Sequence, residues 1–483
     1  MWTENAGREL AGIVGPDRYL DELEDRLVFA HDATAMMRKL PAAIVSPTDV
    51  DQMSAILKLA NQRQLSVVPR GGGTGLSGGA VPTEQSLVVS TLKLDKILEI
   101  DCENLTALVE PGVITADLHA AVEAKGLFYP PDPGSMKICT LGGNVAENAG
   151  GLRGLKYGVT RDYVMGLEVV LPSGEVMWTG GKCAKDVAGY DLRQLLVGSE
   201  GTLGIFTKIL VKLLPKPAGK ATALAVFPSM EAAAATVSAI ISERIIPATL
   251  EFLDQVTLRC VEDYAHIGLP VDAGAILLME SDGHPQACLE EIETMSRLAL
   301  ANGATRVQRA ADPAEALKLS SARRMAFPAL ARLRPTTVLE DVSVPRSRLV
   351  EMVSRVGEIA RREDLLIGTF GHAGDGNLHP TILLDERNPD EVTRMHRAFE
   401  QICETALSLG GCLTGEHGVG LLKRDFLEKY ASAPALSMMR RFRLAMDPNE
   451  VMNPGKMFRS APRREGQLPQ TRSSADAILQ SLT

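Results

Sequence analysis

Three of the eight histidines lie in two glycine-rich turns of the second half of the chain. The first turn is Gly371-His372-Ala373-Gly374-Asp375-Gly376-Asn377-Leu378-His379-Pro380. The second is Gly415-Glu416-His417-Gly418-Val419-Gly420. His372 and His379 with Glu416 make a set of two nitrogens and one carboxylate, which suits zinc or another divalent ion with open positions. His417 is then left beside a ligand, free to act as a base. A His-x6-His spacing is not diagnostic by itself, and polar residues satisfied within their own turns are the competing reading. Asp375 reads as holding its turn rather than as a ligand. Arg323 and Arg324 follow Ser320-Ser321-Ala322. An arginine fork matches a substrate carboxylate, and a solvated charge on a helix is the alternative.

A second chemistry-bearing stretch lies near the N-terminus: Pro69-Arg70-Gly71-Gly72-Gly73-Thr74-Gly75-Leu76-Ser77-Gly78-Gly79-Ala80. Six of the nine residues from Gly71 to Gly79 are glycine. Glycine reaches positive φ without steric cost, so such a loop can turn successive amides to one concave side and hold a phosphate or pyrophosphate. The segment contains both G-x-G-x-x-G and G-x-S-x-G. Each of those motifs needs a helix to open directly afterwards, and Gly78, Gly79 and Pro82 forbid one. The loop therefore reads as a phosphate cradle set between two strands, Leu65 to Val68 and Leu87 to Leu92. The segment from Thr140 to Gly151 adds a predicted helix start at Gly142-Gly143, whose free amides would suit a second anionic or carbonyl group; close helix packing by small residues is a compatible reading. Tyr129 to Ser135 is a rigid, proline-rich turn, and Gly198 to Ile205 is a turn where glycines let the backbone approach a ligand.

The elements that must position these residues fall into two halves. A chain of 483 residues with 45% apolar content has material for two to four domains. Residues 1–40 read as a helical lead-in. A strand over Pro41 to Ser46, a helix capped by Thr48, paired strands at Ile97 to Ile100 and Thr106 to Val109, a helix capped by Thr115, and strands up to Leu214 fill the first half. Pro215-Lys216-Pro217 marks the boundary. After it the pattern reads β-α-α-β-α, a sheet with helices on one face, followed by helices near 346–361, 390–409 and 436–446. Residues 459–483 read as a loose tail. The net charge is −9 with no basic run, which argues against a nucleic-acid partner. No signal-like or membrane-spanning apolar run occurs, so a cytoplasmic protein is expected. Seven cysteines stand alone, without any C-x-x-C, so the chain is expected to carry no iron–sulfur cluster of its own.

From about residue 40 to 458 the chain resembles the FAD-linked 2-hydroxyacid dehydrogenases of the vanillyl-alcohol-oxidase type, the glycolate-oxidase and D-lactate-dehydrogenase branch in particular. The motifs that carry the resemblance are Pro69 to Ala80, Pro131-Asp132-Pro133-Gly134-Ser135, Gly142 to Gly151, Gly198 to Gly204, His372 to His379, Gly415 to Gly420 and Asn453-Pro454-Gly455-Lys456. The resemblance implies an α+β protein: a VAO/PCMH-type FAD-binding domain over 41–217, made of two α/β subdomains, then an oxidase C-terminal domain over 218–458. It implies that the FAD pyrophosphate sits on Pro69, Arg70, Gly71, Gly72, Gly73, Thr74, Gly75, Leu76, Ser77, Gly78 and Gly79 with Thr140, Gly142 and Gly143. It implies that Pro131, Asp132, Pro133, Gly134, Ser135, Asn144, Asn148, Ala149, Gly150, Tyr157, Gly158, Glu200, Gly201, Gly204, Ile205 and Asn453 line the rest of the cofactor's path. It further implies a divalent metal, zinc the expected choice, on His372, His379 and Glu416, with His417 as base, Arg323 on the substrate carboxylate and Asn377 orienting the substrate.

Two departures narrow the expectation. Where related D-2-hydroxyglutarate dehydrogenases use a threonine and a lysine for a second carboxylate, this chain has Phe327 and Leu339, which favours a small monocarboxylate such as glycolate or D-lactate. No histidine lies between His31 and His119, so the FAD is expected to be bound noncovalently. Electrons would pass to a partner subunit or carrier, an iron–sulfur protein or a quinone-linked one. Docking at the inner face of the membrane and assembly into a homo-oligomer stay open. The competing readings are a metal-independent FAD oxidoreductase of the same fold acting on another alcohol, a nucleotide-binding metallohydrolase, and a non-catalytic FAD-binding subunit.

Overall fold

A computed structural model describes residues 2–459; the expected tail, Arg459 apart, lies outside the described residues. The first sheet orders its strands Tyr19–Leu20, Ala43–Val45, Leu87–Ser90 and Val67–Arg70, the last three parallel. The helix Val50–Arg63 crosses between Ala43–Val45 and Val67–Arg70, burying Met53, Ile56, Leu57 and Ala60. Its cap is Asp49, whose carboxylate accepts from Gln52 N at 2.8 Å, and not Thr48. Pro69 is tolerated because Val67–Arg70 is the last strand of this sheet and proline donates no ladder bond. The residues before 40 are more than a helical lead-in. Tyr19 and Leu20 pair with Val45 and Ile44, and Leu10 and Val14 pack into the same core as Val67 and Leu87.

A five-stranded antiparallel sheet follows, in the order Ile97–Asp101, Thr106–Val109, Ile205–Lys212, Val164–Val170 and Val176–Gly180. Thr115 does not cap its helix. It is the first helical residue, and its hydroxyl accepts from Asn144 Nδ2 at 2.7 Å. The predicted helix at Gly142 exists as Leu141–Glu147, but its opening amides are not free: Leu141 N donates to Val113 O, Gly142 N to Pro111 O and Gly143 N to Thr140 Oγ1. Gly142 is there for packing, since a Cβ would lie 2.6 Å from Pro111 Cβ.

The third sheet has eight strands, all pairs antiparallel: Arg306–Arg309, Gly219–Phe227, Ala275–Gly283, Thr249–Asp254, Leu366–His372, Asn377–Leu384 and Thr336–Leu339, with Val342–Ser343 also on Asn377–Leu384. The sequence pattern gives no strand at Thr249–Asp254 and starts a helix near Leu253; the helix begins only at Gln255, capped by Asp254. Helices cover both faces rather than one. Phe227, Leu250, Phe252, Leu277 and Met279 pack against Val237, Met295, Val356 and Ile402, while Leu224, Leu253, Leu278 and Phe370 pack against Leu258, Leu319 and Leu330. Both faces are apolar, so period two is lost along these strands and only strand length tells them from helix.

Candidate active site

The period of a strand puts Glu251, His372 and His379 on one face of three adjacent strands. Glu251 is the cross-strand partner of His372, and Phe370 that of His379. The His-x6-His segment is thus a hairpin: His372 ends one strand and His379 lies in the next, joined by a short 3-10 turn at Ala373–Asp375. Glu416 arrives on the second glycine turn. Its Oε1 lies 3.0 Å from His372 Nε2, 3.3 Å from His379 Nε2 and 3.9 Å from His417 Nε2. The His379 and His417 rings stack, and the His372 and His379 rings stand perpendicular.

Two buried carboxylates, neither singled out by motif, hold this cluster. Glu251 Oε1 is 2.7 Å from His372 Nδ1, and its Oε2 accepts from Arg323 Nε at 2.6 Å. Asp341 Oδ2 accepts from Thr414 Oγ1 and from the amides of Gly415, Glu416 and His417, at 2.6–3.0 Å. Burial alone would raise the Asp341 carboxyl, but His417, Lys423 and His379 outweigh it and hold it well below the usual range. Burial also pushes the His417 imidazole down to about 4, with Asp341 opposing. It is therefore neutral near pH 7 and able to accept a proton. Glu251 and Asp341 sat in strand-like text with no glycine or histidine beside them, and only their charge within apolar runs could have marked them.

Arg323 is buried, its guanidinium 4.6 Å over the Phe370 ring. It is therefore not a solvated helix charge. Arg324 donates to Asp132 Oδ2 at 2.8 Å. Both arginines, with Phe327, Leu339 and Phe370, line a cavity of about 730 Å³ that also reaches His372, His379, Glu416 and His417. The glycine loop, Ser135, Thr140 and the segment His31 to Ala33 line the same cavity. Arg70 Nη1 donates to His31 O at 2.7 Å.

The glycine loop fits a phosphate cradle. None of the amides from Gly72 to Ser77 has a partner among the described residues, whereas Gly78 N donates to Thr34 Oγ1 and Ala80 N to Asp32 Oδ2. Gly73 has φ +66°. Asn453 ties this wall together, its Nδ2 donating to Gly79 O at 2.9 Å and to Glu200 O at 2.7 Å.

Most expected cofactor residues line the cavity: Pro69 to Leu76, Gly79, Pro133 to Ser135, Thr140, Gly142 to Asn144, Ala149, Gly150, Glu200, Gly201, Gly204, Ile205 and Asn453. Others do not. Ser77 is buried and its carbonyl accepts from Leu421 N and Leu422 N; Gly78 packs on Leu421 and Met37. Asp132 is spent on Arg324 and Arg153, and Pro131 O on His119 Nε2. Asn148 Oδ1 accepts from Arg161 N; Tyr157 OH bonds Asp282 of the third sheet, and Gly158 ends that short helix. Asn377 is buried off the cavity. Its Nδ2 donates to Asp341 Oδ1 and Val342 O, so it braces Asp341 instead of orienting a substrate.

Residues 41–180 match the FAD binding domain family, and residues 216–457 match the C-terminal domain of FAD linked oxidases. The chain is 53% identical to the glycolate oxidase subunit GlcD of Bacillus subtilis (strain 168) over 96% of this chain and 99% of that one. It is 39% identical to the subunit of that name in Escherichia coli (strain K12), covering 90% and 87%. It is 35% identical to a D-lactate dehydrogenase of Anaerostipes hadrus, covering 92% and 95%. Among solved structures, p-cresol methylhydroxylase shares the fold with a TM-score of 0.78 at 18% identity, over 94% of this chain and 96% of that one. The α+β architecture expected from the motifs is therefore the observed one, and the chain belongs to the FAD-linked oxidases, FAD-dependent oxidoreductases with an FAD-binding domain followed by an oxidase C-terminal domain.

Proposed function

We propose that the protein oxidises a small 2-hydroxy monocarboxylate, glycolate or D-lactate, to the 2-oxo acid. The observation that carries this reading is that a buried, carboxylate-braced arginine and a neutral histidine line the same cavity as the glycine cradle. Arg323 spends Nε on Glu251 and keeps its terminal N–H groups for a substrate carboxylate. Phe327, Leu339 and Phe370 give the cavity apolar surface near Arg323, which suits a substrate with one carboxylate and little else. His417 takes the hydroxyl proton at Nε2. The bound FAD supplies the two-electron acceptor for the α-hydrogen, leaving as hydride. The flavin is held noncovalently.

The donor set also fits a divalent cation, zinc first. Ligand atoms of His372, His379 and Glu416 all lie within 4.8 Å of one another, and Glu251 on His372 Nδ1 is the kind of outer partner that orients a metal-binding imidazole. Asp341, His379 and His417 are equally close, but Asp341 already accepts from the turn it holds, so the first set is the better one. A cation there would polarise the substrate hydroxyl as a Lewis acid. The test is metal content per chain and the rate of flavin reduction by glycolate and D-lactate, before and after chelation. One divalent ion, with reduction lost on its removal and regained on its return, is expected. Full-rate reduction by the chelated, metal-free protein would overturn the metal assignment.

The seven cysteines are all unpaired with one another and form no cluster site among the described residues. Together with relatives named as subunits, this supports an electron-accepting partner, an iron–sulfur protein or a quinone-linked carrier. No helix among the described residues is long and apolar enough to cross a membrane. A cytoplasmic protein, docked at the inner face through that partner, fits this reading.

A further inference from the structure

One carboxyl group in the cavity wall has no role in the chemistry above. Glu147 closes the helix Leu141–Glu147 and lines the cavity, and its Oε2 is buried without a hydrogen-bond partner. The side chain is wedged between the two functional loops. A Cβ at Gly79 would lie 2.9 Å from its Oε1, and one at Gly418, the residue after His417, would lie 2.5 Å from its Oε2. Both loops are stripped of side chains where this carboxyl group passes.

The groups facing Glu147 decide where a proton sits. Glu200 also lies against Gly418, but its two oxygens accept from Val419 N at 2.7 Å and Gly420 N at 2.6 Å. Asp32 accepts from Thr34 N and Ala80 N. Lys456 and Arg443 act on Glu200 rather than on Glu147. Glu200 and Asp32 are thus built as acceptors, and Glu147 is the member of the trio left with no donor. A buried carboxylate without a donor or a cation is costly, and protonation removes that cost. Burial first, then Glu200 and Asp32, push the Glu147 carboxyl well above the usual range.

We propose that Glu147 is a positioning residue for the cofactor: a neutral carboxylic acid that donates a hydrogen bond, from the carboxyl oxygen left accessible in the cavity wall, to an oxygen or ring-nitrogen acceptor of the bound flavin. The inference rests on FAD occupying this cavity, on Glu147 lining it, and on a carboxyl group that no protein donor reaches. It explains why a lone acid is kept where an apolar residue would make the empty protein more comfortable.

The test compares wild type, Glu147→Gln and Glu147→Met in FAD titrations of the apoprotein, with thermal unfolding of each apoprotein alongside. A wild type that takes up no FAD would defeat the flavin reading itself, before any variant is compared. With FAD binding intact, glutamine keeps a neutral donor, so its Kd should stay within about twofold of wild type. Methionine loses the donor, so its Kd should rise about tenfold, which is about 1.4 kcal/mol. The Glu147→Met apoprotein should unfold no earlier than wild type, because an unsatisfied polar group has been removed. The infrared difference between wild-type and Glu147→Gln holoproteins should contain the carbonyl stretch of a protonated carboxylic acid. Glutamine weakening FAD as much as methionine, methionine leaving Kd unchanged, a methionine apoprotein that unfolds earlier, or a carboxylate band in place of the acid band would each overturn the proposal.

Discussion

Glu251 joins the two halves of the proposed chemistry, so Glu251→Gln should damage both at once. The wild-type carboxylate accepts from Arg323 through one oxygen and holds His372 Nδ1 through the other, and it is 1% exposed. Glutamine has the same shape but a single acceptor oxygen. Whichever way the amide turns, one partner faces an NH2 group. The lost bond is charge-assisted, worth about 1.5–3 kcal/mol, and at 1.4 kcal/mol per decade that is roughly a 10- to 150-fold loss. With the amide oxygen toward Arg323, the loss falls on His372, and metal affinity should drop by about 10- to 100-fold. With the amide oxygen toward His372, it falls on Arg323, and the substrate concentration for half-maximal flavin reduction should rise. The assay is anaerobic stopped-flow reduction of the bound flavin across a range of glycolate or D-lactate concentrations, with metal content measured on the same sample. Thermal unfolding checks that the variant folds. A folded Glu251→Gln protein with wild-type substrate dependence and wild-type metal content would show that Glu251 supports neither Arg323 nor His372.

His417→Ala should lower the rate of flavin reduction by about 10²–10⁴-fold while FAD content stays at wild type; equal loss of flavin would assign His417 to the cofactor site instead. A buried imidazole with its pKa lowered to about 4 is the neutral, competent base at every pH above that value. The limiting rate of flavin reduction should therefore hold through pH 6.5 and fall only as pH drops toward 4, where the base becomes protonated. A break at pH 6.5 would contradict a desolvated His417. Asp341→Ala leaves four donors of the 414–417 turn without their acceptor, each costing about 1–3 kcal/mol where no water replaces it. It should lower the unfolding temperature and release any bound metal, whereas retained metal content would show that the turn holds itself. Tyr157→Phe removes a bond to Asp282 between the FAD-binding half and the third sheet. It should cost about 1 kcal/mol in stability and leave flavin reduction unchanged, and slowed reduction would show that this tie also sets the site.

Much of the site was legible because its chemistry is local in the chain. A glycine loop between strands, two histidines on a hairpin and an acid beside a histidine announce themselves by type and spacing. Their supports are distant in sequence and carry no such mark. Glu251 meets His372 across 121 positions through the register of the third sheet, and Asp341 meets His417 across 76, next to the bridge between Ser343 and Cys412. The missed strand Thr249–Asp254 is the reason Glu251 was missed: read as the approach to a helix, it has no reason to face His372. Asn377 shows the opposite error. It lies between the two histidines in sequence and pairs with His372 across the hairpin, so its spacing gives no hint that its amide is spent on Asp341 and Val342 O. The helix Leu141–Glu147 was found, yet its amides are consumed by Pro111 and Val113, partners no local pattern could supply.

Oxidation of a small 2-hydroxy acid in the cavity lined by Arg323 and His417 is tested most directly by the visible spectrum of the FAD-loaded protein, without oxygen, before and after glycolate or D-lactate is added. One of them should bleach the flavin in the wild type, and the same addition should leave His417→Ala oxidised on that time scale. A flavin-loaded, metal-replete wild type that stays oxidised with both acids would contradict it.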